Sequence, residues 1–262
     1  MCYDISFTVD IRVLSDYFPD LVFDSQIDLE FGPIDHIQGV GVFGKQPIFY
    51  INRDDMKLHC RLMEWGIIEH YVDMEPHPTY RNKFVNIRSE RVLDDKRSYW
   101  YKIRNRRCLI PVTGIYEHRG IKGWKKKVPY WVRPADQPMF FLPGLYSVTE
   151  IADRTTGEVI KRWTFGLITR AANSVMKNIH NDGDNRGRMP LFLPYEISKE
   201  FISESLTEQR YKEILAYEMP SEELDYHPVF TIRTPKLRSD NKPKNEFWEW
   251  EKLPKLGELN PD

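Results

Sequence analysis

The chain has no hydrophobic run approaching eighteen residues, so no membrane-spanning helix is expected. No basic segment followed by an apolar one stands at its start, and no secretory leader is read there. Cysteine is scarce: Cys2, Cys60 and Cys108 are an odd, widely spaced set. That argues against a disulfide framework and for a reducing, cytoplasmic setting. A glycine-rich phosphate loop, internal repeats and low-complexity linkers are also missing. His59-Cys60, His70 and His77 do not make the tight ligand pairs of structural zinc sites. Asp182-Gly183-Asp184-Asn185-Arg186-Gly187 starts like a calcium loop, but Arg186 takes a ligand position and Leu193 stands where a glutamate is required. No metal and no cofactor is expected.

What is present suits a globular protein with a buried core: 262 residues, 41% hydrophobic and 13% aromatic. The net charge of −1 hides an asymmetry. Residues 81–133 carry 16 Lys/Arg against four Asp/Glu, whereas residues 1–40 carry one basic and eight acidic side chains. Aromatics interleave the basic segment at Tyr99-Trp100-Tyr101 before Arg104 and at Trp124 before Lys125-Lys126-Lys127. Such a segment reads either as a single-strand polyanion surface or as solvated strand faces.

The patterning predicts one α+β domain of bent, mostly antiparallel strands with a few peripheral helices. Strands are expected at Ile5–Val9, at Gly39–Phe43 and Ile48–Ile51 as a hairpin, and over Leu58–Ile68. Arg107–Pro111 reads as a strand broken by its proline, with another starting at Gly114. Pro129–Val132 and Met139–Leu142 are expected to pair across a turn-rich link, and Trp163–Thr169 forms another strand. Helical character is read at Ser98–Ile103, at Ala171–Ile179 and in one or two helices over Pro194–Tyr217. The domain is placed at 1–235. A charged, Pro-rich tail, 236–262, either packs on it or is partly disordered.

Five residue types stand out chemically. Cys2 follows Met1 directly, so loss of Met1 would put an α-amine (ordinary pKa about 7.7–8.0) beside a thiol (about 8.5). That pair can condense with an aldehyde to an imine and close to a thiazolidine; alternatively Cys2 is a small residue at a frayed end. Glu117 sits in an apolar segment, which implies either an ion pair with an arginine or a function. His180 ends a helical run, as a helix-terminal cation or as an acid–base group. Asn86 and Arg88 share one strand face, and Arg88 is open to a phosphate or to a surface salt bridge. Cys108 lies in an apolar strand and reads as an inert core thiol.

Together these residues resemble the SOS-response-associated peptidase (SRAP) family. The resemblance rests on Met1-Cys2, on Asn86-Ile87-Arg88-Ser89-Glu90 and on Arg107-Cys108-Leu109-Ile110-Pro111-Val112-Thr113-Gly114-Ile115-Tyr116-Glu117. Gly144-Leu145-Tyr146, His180 with Arg188-Met189-Pro190, and His227-Pro228-Val229 follow in the family's order. It implies an abasic-site sensor that binds single-stranded DNA and forms a covalent thiazolidine crosslink through Cys2 after self-processing removes Met1. By the same resemblance Asn86 orients the N-terminal residue or the opened sugar, Glu117 manages protons, and His180 acts as acid/base or holds the adduct. Arg88, Arg104, Arg106, Trp124 and Arg188 are the implied DNA contacts. A cytoplasmic monomer that joins the nucleoid when DNA-bound is expected.

The chain departs from the family at three places. Cys2-Tyr3-Asp4 stands for Cys-Gly-Arg, Glu30 replaces an asparagine, and six extra residues separate His180 from Arg188. Two competing readings are a thiol peptidase or amidase using Cys2, Glu117 and His180 with no DNA role, and a non-catalytic single-strand binder.

Overall fold

The structure is a computed structural model that describes residues 2–24, 31–153, 155–234 and 238–261; Met1 and Glu30 lie outside them. In chain order, β1 (Asp4–Phe7), α1 (Leu14–Tyr17) and β2 (Val22–Phe23) are followed by β3 (Ile34–Gln38), β4 (Lys45–Ile51) and β5 (Leu58–Trp65). Next come α2 (Pro78–Arg81), β6 (Asn86–Arg88) and α3 (Tyr99–Lys102). Then β7 (Arg107–Val112), β8 (Gly114–Arg119) and β9 (Val128–Pro134) lead to the long hairpin β10 (Phe140–Ala152) and β11 (Val159–Ala171). α4 (Ser174–Ile179), β12 (Arg188–Pro190), α5 (Tyr195–Ile202), α6 (Glu208–Ala216) and β13 (Leu224–Pro228) complete the order.

Two sheets form. One has the order β13-β9-β8-β1-β3; the other runs β12-β11-β10-β7-β4-β5-β2, with β6 beside β11. A parallel pairing of β11 with β5, at Thr164↔Glu64 and Phe165↔Trp65, closes β11-β10-β7-β4-β5 into a barrel-like ring. The fold is therefore α+β with mostly antiparallel strands, as the patterning implies. Leu109, Ile110, Phe140, Phe141, Leu142, Phe165 and Leu167 fill the interior essentially without exposure, each worth about 1.5–3 kcal/mol of transfer free energy.

The chain passes from barrel to second sheet between β7 and β8. Gly114 makes the passage possible: a Cβ there would stand 1.9 Å from Trp131 Nε1. Beyond it, β8 pairs with β1 on one side and β9 on the other, placing Glu117 opposite Tyr130 and Asp4 opposite Tyr116.

Three local expectations are corrected. Gly39–Phe43 is a turn, with Gly41 and Phe43 at φ of 76° and 54°, because the strand has already run through Ile34–Gln38. Pro129–Val132 does not pair with Met139–Leu142: β9 is engaged on both edges by β8 and β13, and β10 joins the other sheet. Pro111 does not break β7. The β4 ladder stops at Leu109, so no β4 acceptor loses its donor, and the Pro111 carbonyl accepts from Gln46 Nε2.

The C-terminal segment packs on the domain. Arg119, fully buried, donates from Nη1 to Pro254 O and from Nη2 to Lys255 O and Glu258 O at 2.7–2.9 Å. Trp250 Nε1 donates to Val229 O at 3.0 Å.

Candidate active site

β1 draws the start of the chain inside, and Cys2, just before it, has no exposed surface. Asn86 opens β6, which pairs in parallel with β11 through Leu167. From there its Nδ2 donates to the Cys2 carbonyl at 2.8 Å, across 84 positions of sequence. Asn86 Oδ1 is buried without a hydrogen-bond partner among the described residues. Glu117, only 3% exposed, has its Oε1 in the same condition. The arginine that would make Glu117 a structural ion pair is not found among the described residues. Two buried acceptors without donors beside one thiol fit an incoming amine or hydroxyl.

The thiol itself is neutral at neutral pH. Burial first, and the Glu117 carboxylate second, push it well above its ordinary range. Its S–H donates to Asp4 O at 3.4 Å.

Asp4 is buried to 1% and accepts from His36 Nε2 at 2.8 Å and from Arg233 Nε at 2.8 Å. Burial opposes its ionisation, but the His36 and Arg233 hydrogen bonds prevail, and its carboxyl lies below the usual range. The acid at position 4 therefore fixes a cation at the site instead of leaving a bare negative charge.

His180 caps the C-terminal end of α4, which Asn173 caps at the other end. Its Nδ1 donates to Arg188 O at 2.7 Å, which places a neutral ring's proton on Nδ1 and its basic lone pair on Nε2. The extended His180–Arg188 connection folds back on itself: Gly187 N donates to His180 O at 2.9 Å and Arg186 N to Gly183 O at 3.0 Å. Gly183 and Gly187 supply the required positive φ.

These elements enclose a cleft of about 440 Å³ lined by Tyr3, Glu117, His118, Lys127, His180, Asp182, Gly183, Asp184, Asn185 and Arg233. Cys2 and Asn86 do not line it: Cys2 adjoins the lining residue Tyr3, its thiol feels the Glu117 carboxylate, and Asn86 holds its carbonyl. An adjoining depression, sharing Lys127 and Asp182, is lined by Trp124, Lys125 and Lys126. Arg88 is exposed at the rim, its Nη2 donating to Asn185 Oδ1 at 3.4 Å.

The remaining sequence candidates sit differently. Arg188 is held by Glu90 at 2.6 and 3.0 Å and by Thr169 O at 2.8 Å, so its part here is to present the carbonyl that orients His180. Arg104 stacks on Tyr101 at 4.0 Å, outside the cleft. Arg106 lines a separate cleft. Trp100 is core and Tyr99 is tied to Ser147. His227 donates to Asn245 O and packs on Trp131. Nor is the basic segment one surface: Arg81, Arg91, Lys127 and Arg133 pair with Glu64, Asp95, Asp182 and Asp225. Sequence reasoning named Tyr3 only as a departure from the family and passed over His36, His118 and Arg233. His118 carried a signal, being next to Glu117; Arg233 carried none.

Among the described residues no cluster of three or more His, Cys, Asp or Glu is placed to hold a metal ion. No helix there is long and apolar enough to cross a membrane.

Residues 22–232 match the family described as SOS response associated peptidase (SRAP). The matched span contains Asn86, Glu117 and His180 and starts after Cys2. Abasic site processing protein YoaM of Bacillus subtilis (strain 168) is 24% identical over 223 residues, covering 85% of this chain and 91% of that protein. Abasic site processing protein YoqW of the same organism is 25% identical over 223 residues, covering 85% and 92%. A crystal structure of a protein from Bacteroides thetaiotaomicron superposes with a TM-score of 0.72 at 26% identity, covering 94% of this chain and 97% of that one.

Proposed function

Since the chain belongs to the SOS response associated peptidase family, we propose that it captures abasic sites in single-stranded DNA covalently through Cys2. The observation that carries this reading is the 2.8 Å hydrogen bond from Asn86 to the Cys2 carbonyl, which fixes the first residues of the chain beside Glu117. A reactive terminus needs such an anchor, because chain ends are otherwise poorly ordered.

In the proposed reaction, hydrolysis of the Met1–Cys2 peptide bond consumes one water and frees the Cys2 amine. The neutral amine adds to the C1′ aldehyde of the ring-opened sugar, and the carbinolamine loses water to give an imine. The Cys2 sulfur then bonds to the imine carbon while the S–H proton passes to nitrogen, leaving a thiazolidine with one water released. Glu117 accepts a proton from the amine and returns one to the departing hydroxyl; His180 Nε2 serves the sugar hydroxyls. The need for an aldehyde supplies damage selectivity without base readout. Trp124, Lys125, Lys126 and Arg88 flank the cleft where stacking and phosphate contacts would be sequence-independent.

Purified protein incubated with an abasic oligonucleotide should give a species that survives a denaturing gel without reductant. Equal formation of that species by Cys2→Ala would sink the mechanism. Turnover of unrelated peptides with no DNA adduct would instead favour a thiol hydrolase.

A further inference from the structure

We propose that a second cleft, on the barrel and apart from Cys2, is a phosphate-binding site that holds the backbone of the same single strand at a distance from the reacting sugar. That the bound polymer is DNA rests on the reading above. The cleft, about 340 Å³, is lined by Tyr50, Arg53, Arg61, Arg106, Lys161 and Trp163 among others. It shares no lining residue with the Cys2 cleft. Arg106 immediately precedes β7, whose six residues extend roughly 17 Å at 3.3 Å per step, before the chain turns into β8 and reaches Glu117.

The cations here fall into two groups. Arg61 is already neutralised: its Nε meets Asp24 at 2.5 Å, and its guanidinium covers Trp163 at 4.5 Å. With Tyr50 and Tyr146 packed on Trp163 at 5.2 and 6.1 Å, it builds a preformed wall. Arg53, Arg106 and Lys161 have no carboxylate partner among the described residues, and only Asp54 among the lining residues opposes them. Arg106 Nη1 is buried with no acceptor among the described residues. A buried guanidinium donor left unpaired is unfavourable, and a phosphate oxygen is the acceptor that suits it.

A neighbouring depression of about 470 Å³ shares Arg53 and Tyr146 and adds Asn105 and Arg107, whose Nε is likewise buried without an acceptor. Arg106 and Arg107 therefore each keep a buried, unmet guanidinium N–H beside adjoining depressions, with Glu204 the one acid lining the second. A chain of phosphates needs that arrangement; one small anion does not.

The test uses the full chain with Arg53→Gln and Lys161→Gln, both exposed positions. Noncovalent affinity for an intact single strand of about 30 nucleotides is measured against salt on a Cys2→Ala background. Each lost phosphate contact should make the log–log slope shallower by about 0.7, so about 1.4 for the pair. Adding Arg106→Gln should remove about 0.7 more. Crosslinking of Cys2-containing protein to an abasic oligonucleotide of about 6 nucleotides, within known single-strand site sizes, should stay unchanged in the double variant.

An unchanged slope with the long strand overturns the proposal, and so does an equal loss of crosslinking to the short one. Inorganic phosphate or a mononucleotide that raises the thermal midpoint of the unmodified chain but not of the double variant, with the long-strand slope unaltered, would make this a small-anion site and overturn it too. Failure of the unmodified protein to crosslink at all rejects the Cys2 mechanism and leaves the slope comparison to decide the second cleft.

Discussion

Glu117→Gln separates three effects that usually move together. Glu117 is 3% exposed, and its Oε1 is buried without a partner. Glutamine keeps the shape and removes the charge. Burying an unsatisfied polar group costs about 1–3 kcal/mol by protein-derived scales, and a charge costs more, so the variant should be at least as stable as the parent. Each kcal/mol gained corresponds to about 2–4 °C in midpoint for a chain near this size. The Cys2 thiol should titrate lower, because the carboxylate is the second cause, after burial, of its raised value. Crosslinking should nevertheless slow by about 10²–10⁴-fold, the usual contribution of a positioned acid–base group, or roughly 3–5 kcal/mol of barrier. Both proteins should be prepared with Cys2 exposed by a specific protease acting on an upstream leader, so that retained Met1 cannot account for the loss. Single-turnover time courses on denaturing gels give the rate, and thiolate absorbance, with Cys2→Ala subtracted, gives the titration. A crosslinking rate within about threefold of the parent would refute the proton-transfer role.

Three more outcomes are expected. Asn86→Ala leaves the Cys2 carbonyl buried without its donor, which costs about 1–3 kcal/mol; thermal melting should show the loss, with crosslinking falling further than stability explains. Asp4→Asn bears on acid stability: its carboxyl is held below the usual range, so its contribution is complete above about pH 4, the ordinary carboxylate value, and is lost as pH falls through the lower folded value. Melting against pH should therefore show a weaker acid limb in the variant, and an unchanged limb would refute the clamp on Arg233. Arg119→Met removes three hydrogen bonds from the C-terminal segment, and limited proteolysis should then cut after about residue 250 where the parent resists.

Much of this was legible in the sequence because local chemistry and global placement agreed. Apolar stretches marked β4, β5, β7 and β11, and a carboxylate inside Gly-Ile-Tyr-Glu announced itself as out of place. Gly39–Phe43 misled because an apolar stretch with two glycines satisfies a turn as readily as a strand, and the left-handed φ at Gly41 and Phe43 decided for the turn. The partner of β9 was not legible either: proximity in sequence suggests β10, but the edges of β9 are claimed by β8 and by β13, about ninety positions later. Arg233 stayed hidden for the same reason, since nothing near it in sequence reveals that Asp4 holds it. The basic segment was visible as charge, yet the pairing of its arginines was not, and pairing decides what a polyanion meets.

The hold of Arg119 on residues 254–258 bears on how the candidate site is framed. Gly120 N also donates to Asn181 Oδ1 at 2.8 Å, and Asn181 Nδ2 donates to Asn260 Oδ1 at 2.9 Å, so the last residues brace both β8 and the neighbour of His180. Residues 254–260, about 250 positions from Cys2 in sequence, are thus part of what shapes the candidate site. Loss of residues 254–260 would therefore loosen the frame around Glu117 and His180 without altering either side chain.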